Sequence, residues 1–348
     1  MSLSNDIVRE ILRRVDGITL ASAECCCSDV RSVVKEQGLW EDVCSFLWPS
    51  TANHEVKQLI LSLGGFKKFY ANCFPLINVS KQFIISSKKD CQEFLNPLDE
   101  DDRKEIDDAV FHSDYVSVVD IHYNNEAIYS KIVWEIPAAD DIIECRSSSI
   151  FPLVIDLPCG SDGTLVSVSI NREEDIERII FSDNLRLSWI LINRRTKNAV
   201  NLSSWRPLEA QKRDWGSNND FTIRFGSILP AHSSLPLKLG VCNIVVKGRI
   251  GVGQEGNDLQ ITGVSMQLED MMGCQLNARD GLFVLQRAAE WGKRTKNYDQ
   301  VIQSCFDVLE IQNDLMEENL GAKCHMDPLC MLLLIGVAIL SWYYFLKP

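Results

Sequence analysis

The sequence predicts an α+β chain: a small cluster of short helices, then an antiparallel β-sandwich-like domain, a C-terminal amphipathic helix and one transmembrane helix. Three observations carry this. Apolar residues recur at helical spacing through the first fifty positions, alternating apolar runs broken by turn residues fill the middle, and residues 329–346 read LCMLLLIGVAILSWYYFL without a charge. The divisions that follow are 1–50 for the helical cluster, 51–110 for a helical and loop extension with an acidic linker, 111–290 for the β-rich domain, 297–325 for the amphipathic helix and 329–346 for the membrane span.

At the start, Ile7, Val8, Ile11, Leu12 and Val15 share one helical stripe, with Arg9, Glu10, Arg13 and Arg14 opposite. Asp16-Gly17 ends that helix and Thr19 is placed to cap the next, beginning at Leu20-Ala21. Val30, Val33 and Val34 lead through Gly38 to Leu39-Trp40, giving three short helices. A cluster this small buries little surface by itself, so a partner or a neighbouring domain is expected to cover part of it. Cys25, Cys26 and Cys27 read most simply as small core residues.

Residues 52–98 mix short apolar runs with Gly64-Gly65, Pro75 and Pro97, and residues 99–108 form an acidic run that reads as a solvated linker. The period then changes to alternation. Val116, Val118, Ile121 and Tyr123 lead into Asn124-Asn125 and on to Ile128, Ile132, Trp134 and Ile136, which predicts a hairpin. Further strands are expected at 151–157, 165–170, 185–193, 199–205, 221–225, 237–246 and 260–268, with a turn at 194–198 and a short helix at 172–180. Many short strands divided by turns predict a sandwich. Trp189, Trp205 and Trp215 fit either a buried core or a sugar-stacking platform, and Trp215, beside Arg213, Asp214 and Gly216, is the candidate for exposure.

The stretch 298–320 sets Val301, Ile302, Cys305, Val308, Leu309, Leu315 and Met316 on one side; Gln312 and Asn313 interrupt any strict heptad. It could dock on the sandwich, pair with a second copy or act as a stalk. The eighteen uncharged residues at 329–346 would rise about 27 Å as a helix, enough for a thin bilayer, with Trp342, Tyr343, Tyr344 and Lys347 at the interface. That placement predicts a tail anchor, with the rest of the chain on the cytosolic face of an intracellular membrane and the lipid bilayer as a partner.

Composition limits function. The chain has 348 residues, 46% hydrophobic and 24% charged, and a formal net charge of −13. Such a balance supports folded domains and argues against nucleic acid as a partner, since phosphate neutralisation calls for a basic footprint. Thirteen cysteines without a CxxC pair point to reduced thiols, and charged residues throughout 1–20 argue against a cleaved signal peptide; the sequons at Asn78 and Asn201 then read as chance matches. Gly251-Val252-Gly253-Gln254-Glu255-Gly256 spells GxGxxG, but alternation rather than a helix follows it, so it reads as a hairpin loop and not a dinucleotide site. The histidines lack ligand spacing, and Cys324-His325 with Cys330 reads as an acylation site or chance. Nothing predicts a catalytic residue, a metal or a cofactor.

The order Leu3-x-x-Asp6-Ile7-Val8-x-x-Ile11-Leu12, Leu20, Cys26-Cys27-Ser28-Asp29-Val30-Arg31 and Leu39-Trp40 resembles an F-box, the motif that binds Skp-type adaptors of cullin ubiquitin ligases. Ser4, Cys26 and Val30 stand where the family usually has Pro, Val and Trp. Stretches at 39–51, 119–131, 187–192 and 201–204 are similar to one group of plant F-box proteins of about this length, several of which end in a hydrophobic segment. The resemblance implies a non-catalytic substrate receptor that binds a Skp-type adaptor, and through it cullin, by Leu3, Asp6, Ile7, Ile11, Leu12, Leu20, Cys26, Val30, Leu39 and Trp40. The β domain would then select a protein client, with Trp215 as a weak candidate contact. The alternative is a ligase-independent binding protein, lectin-like or scaffold, whose F-box has drifted.

Overall fold

A computed structural model of the chain describes residues 5–94, 112–135, 153–158, 165–170, 184–212, 220–231, 239–252 and 257–324. The helical part comprises α1 (Asn5–Leu12), α2 (Gly17–Ala23), α3 (Ser28–Val34) and α4 (Gln37–Leu47), then a 3₁₀ turn at Pro49–Ala52, α5 (His54–Ser62), α6 (Phe66–Cys73) and α7 (Lys81–Phe94). Within residues 1–50 four helices thus stand where three were expected. Asp16, not Thr19, caps α2, accepting the Thr19 N–H at 2.6 Å. Asn53 caps α5 in the same way, accepting from Glu55 and Val56.

The β-rich part holds two antiparallel sheets. One has the order β3–β2–β6–β7, from β2 (Tyr115–Tyr123), β3 (Glu126–Val133), β6 (Leu185–Asn193) and β7 (Asn198–Asn201). Asn124 and Asn125 join β2 to β3 with φ of 53° and 66°, the left-handed pair that a two-residue hairpin requires and asparagine tolerates. The other has the order β4–β11–β10–β9–β8, from β4 (Val154–Pro158), β8 (Glu209–Lys212), β9 (Asp220–Pro230), β10 (Leu239–Val252) and β11 (Asn257–Asp270), with β5 (Leu165–Ile170) also on β11. Val252 pairs with Asn257, so strands β10 and β11 flank residues 253–256, which lie outside the described residues. A short pair, β1 (Leu76–Ile77) with β12 (Arg294–Thr295), ties the helical part to the segment between α8 (Ala278–Trp291) and α9 (Tyr298–Cys324).

The sheets share a core. Val119, Ile121, Leu187, Trp189 and Leu191 meet Phe225, Ile244, Val246 and Met266, and α8 adds Leu282, Val284, Leu285 and Ala288. Alternation sends Val116, Val118, Ile190 and Ile192 to the opposite face, where they pack with Leu20, Trp40, Trp48 and Phe69 of the helices. β2 and β6 are therefore covered on both sides, which is why their sequences are nearly continuous apolar runs. The α9 helix docks on the six-stranded sheet through Val301, Cys305, Val308 and Leu315, and Gln312 donates to the Asp270 carbonyl at 2.9 Å. Trp189 and Trp205 are core residues. Asn201 is also buried; its side chain accepts from the Trp189 and Ser203 backbones, which removes it as a glycan acceptor.

Three expectations are corrected. Cys25, Cys26 and Cys27 are exposed, because helices of only seven residues on either side leave their connecting turn at the surface. No transmembrane helix is found: among the described residues no helix is long and apolar enough to cross a membrane. The longest, α9, carries Asp299, Asp307, Glu310, Asp314 and Glu317. The expected tail-anchored location on an intracellular membrane falls with that finding, and 329–346 itself lies outside the described residues. So do Trp215, the acidic run at 99–108, the helix expected at 172–180, and His325 and Cys330.

Polar groups key the helical part to the four-stranded sheet. Trp48 Nε1 donates to Ser188 Oγ at 3.0 Å, and the fully buried Asp120 accepts from Ser50 N at 3.0 Å, from Ser130 Oγ at 2.6 Å and from Ser50 Oγ. Desolvation outweighs these hydrogen bonds and pushes the Asp120 carboxyl up to about 6. Unfolded, it would titrate near ~3.9. The folded chain then holds an extra proton between these values, so this group's stabilisation is full at low pH and disappears as pH rises through the folded value, about 3 kcal/mol in all. Asp120→Asn keeps an acceptor toward Ser50 N and donates to Ser50 Oγ, so it should flatten the slope of unfolding free energy between about pH 4 and pH 6. Urea titrations of both proteins across that window check it, and identical slopes would refute the assignment.

Candidate functional site

The helical cluster has an inside and an outside, and the residues singled out in the sequence divide between them. Leu12, Leu20, Leu39 and Trp40 form the core. Trp40 is 1% exposed, donates from Nε1 to the Val34 carbonyl at 2.8 Å and lies 5.3 Å from the Tyr70 ring. It thereby fixes α3, α4 and α6 to one another. Val30 is half-buried. Asp6, Ile7, Ile11 and Cys26 face outward, and Leu3 lies outside the described residues.

Ile7 and Ile11 are one turn apart on α1, 51% and 53% exposed, while Val8 and Leu12 on the neighbouring stripe are buried. Such a helix has apolar residues on more of its surface than its own core uses. Ile18 on α2 and Phe46 on α4, the latter 68% exposed, extend the apolar outside. Sequence reasoning missed those two; their signal was an apolar residue off the buried stripe, beside Leu20 on one helix and between Cys44 and Trp48 on the other.

Electrostatics orient this outer helix. Arg9 grips Glu36 in a bidentate pair, Nε to Oε2 and Nη2 to Oε1, both 2.7 Å, and reaches Asp6 at 2.9 Å. The Arg9 hydrogen bonds hold the Glu36 carboxyl below its ordinary value. The pair is partly exposed, so its role is geometric: it sets α1 against the α3–α4 connection. Lys67 on α6 holds Glu24 at 2.6 Å, at the end of α2, and lowers that carboxyl too. Among the described residues no group of His, Cys, Asp and Glu is arranged to hold a metal ion. What the arrangement offers is a braced helical cluster that leaves Ile7, Ile11, Ile18 and Phe46 exposed on its outside.

Comparison with known proteins agrees with that geometry. Residues 1–42 match the F-box domain family. An F-box protein of Arabidopsis thaliana is 27% identical over 354 aligned positions, covering 99% of this chain and 96% of the relative. A probable F-box protein of the same species is 28% identical over 305 positions, covering 87% and 78%. The F-box protein GID2 of Oryza sativa subsp. japonica is 35% identical over 71 positions, 20% of this chain and 34% of that protein. No solved structure matches the chain.

The inside–outside division has a measurable consequence. Trp40→Ala should cost about 3–5 kcal/mol of stability, and Ile11→Ala within about 0.5 kcal/mol of none. Thermal unfolding of the two variants checks it, and comparable losses would place Ile11 in the core instead.

Proposed function

From the premise that this chain is an F-box protein of the plant type, with its F-box domain at the N-terminus, we propose that it is a substrate-recognition subunit of a Skp-cullin-F-box ubiquitin ligase. The helical cluster binds a Skp-type adaptor, which brings cullin, and the β sandwich selects a protein client. The chain catalyses nothing itself; it raises the effective concentration of client beside the transfer machinery. The observation that carries the reading is the exposed apolar pair Ile7 and Ile11 on a helix held in place by Arg9 and Glu36. Burying the exposed half of each in an adaptor groove would contribute roughly 1.5–3 kcal/mol for the two together, since full burial of one such side chain is worth about that much.

Of the ten residues assigned to adaptor binding, the nine other than Leu3 accordingly act in two ways. Asp6, Ile7, Ile11 and Cys26 are available to touch the adaptor, while Leu12, Leu20, Leu39 and Trp40 hold the surface that does so. Val30 stands between the two groups.

Co-purification of the full chain with a Skp-type adaptor tests this. Ile7→Asp with Ile11→Asp should reduce adaptor recovery at least about tenfold while leaving the unfolding temperature near that of the parent. A parent chain that folds yet recovers neither adaptor nor cullin would support the ligase-independent binding module instead.

A further inference from the structure

A cavity of about 670 Å³ opens at the seam between the helical cluster and the sandwich, within the range that accommodates a small organic molecule. Its walls come from five separate parts of the chain: the α1–α2 connection, α4, α6, the Arg186 and Trp205 region beside the four-stranded sheet, and the start of α9. Tyr70 stacks on Phe74 at 4.8 Å, Phe74 meets Tyr298 edge-on, and Tyr298 lies nearly parallel to Trp205 at 6.4 Å. The walls are thus a connected run of rings.

Two polar features in this lining point to a ligand. The Tyr70 hydroxyl is buried and has no hydrogen-bond partner. Burial pushes its pKa up, so it stays protonated and remains a donor without an acceptor. Gly17 makes room for that ring, since a Cβ at 17 would overlap it. The second is Arg186. Arg13, Arg14 and Arg206 on the same walls each have a carboxylate within reach, from Asp42, Glu10 and Asp299. Arg186 instead bonds the Asn125 amide oxygen at 3.2 Å and lies 5.8 Å over the Trp205 ring; none of the ion pairs among the described residues uses it. Trp205 itself has φ 68°, a left-handed conformation unusual for a bulky residue and characteristic of functional positions.

We propose that this cavity binds a small organic anion, with a carboxylate, sulfonate or phosphate head held by Arg186 and the Tyr70 hydroxyl and a flat apolar body lying along the aromatic walls. The head supplies the acceptor that Tyr70 lacks and the negative charge that Arg186 lacks. The body replaces water against four rings. Because the walls belong to both the helical cluster and the sandwich, the bound molecule bridges them.

The probe is anilinonaphthalene sulfonate, an anionic head on a flat apolar body, titrated by fluorescence into the full chain alone, so the outcome is independent of adaptor binding. Phenylnaphthylamine, its uncharged counterpart, reports the aromatic walls by themselves. Saturable binding of the sulfonate to a single site is expected. Arg186→Gln should weaken it about tenfold and Tyr70→Phe about threefold, with phenylnaphthylamine unaffected by Arg186→Gln. Tyr70→Phe removes one oxygen and leaves the ring packing, so it tests the site even if the arginine variant unfolds. Sulfonate binding that does not saturate, or that is unchanged in both variants, overturns the proposal. Equal loss of both probes in Arg186→Gln does so as well, since it would mean that the charge plays no part.

Discussion

Covering one sheet on both faces is the constraint from which the rest of the architecture follows. Successive residues of β2 and β6 point to opposite sides, so Val119 and Leu187 enter the sandwich while Val118 and Ile190 meet the helices. A one-residue slip of β2 against β6 would turn β2 over and put Asp120 into the apolar sandwich core. The helical part supplies Ser50 to Asp120 and Trp48 to Ser188, both from the side of the sheet that faces away from the sandwich core. Burying a carboxylate is unfavourable, and here it specifies which face is which.

In the ligase reading this seam has a mechanical role. The helical cluster packs on one face of β2 and β6 and the sandwich core on the other, so the direction in which one presents an adaptor fixes where the other presents a client. α9 and the β1–β12 pair brace the same arrangement: Ser304 Oγ reaches Val79 O, and Arg294 donates to the Asn72 carbonyl at 2.7 Å. Proximity catalysis gains from such stiffness, because a client held at a fixed distance loses less orientational freedom on reaction.

How far the sequence revealed this depended on whether the decisive signal was local. Asn124-Asn125 between alternating runs gave the hairpin at once, because left-handed turn residues act through their own backbone. Alternation after the GxGxxG letters likewise excluded a dinucleotide site, and the β10–β11 pairing accounts for it. Whether a helix's apolar residue faces in or out is decided by neighbours far along the chain. Ile7 and Leu12 look alike in α1, yet Leu12 joins a core completed by Val116 and Ile192, more than a hundred positions away, and Ile7 does not. The three cysteines failed for a related reason: burial is the usual state of that side chain, but a turn between two seven-residue helices has nothing placed to cover it. The cavity was illegible altogether, since Gly17, Tyr70, Arg186 and Tyr298 belong to segments that only the seam brings together.

The net charge of −13 takes on a different meaning beside that seam. An acidic chain has carboxylates to spare for its arginines, and three of the four arginines lining the cavity have them. Leaving Arg186 with an amide oxygen and a tryptophan face is therefore a local departure from the composition of the whole. Screening over about a Debye length, roughly 8–10 Å, keeps distant carboxylates from cancelling it. Charge on this molecule is consequently not a single property. The average disfavours nucleic acid, while one cation at the junction of helices and sheet has no carboxylate partner among the described residues.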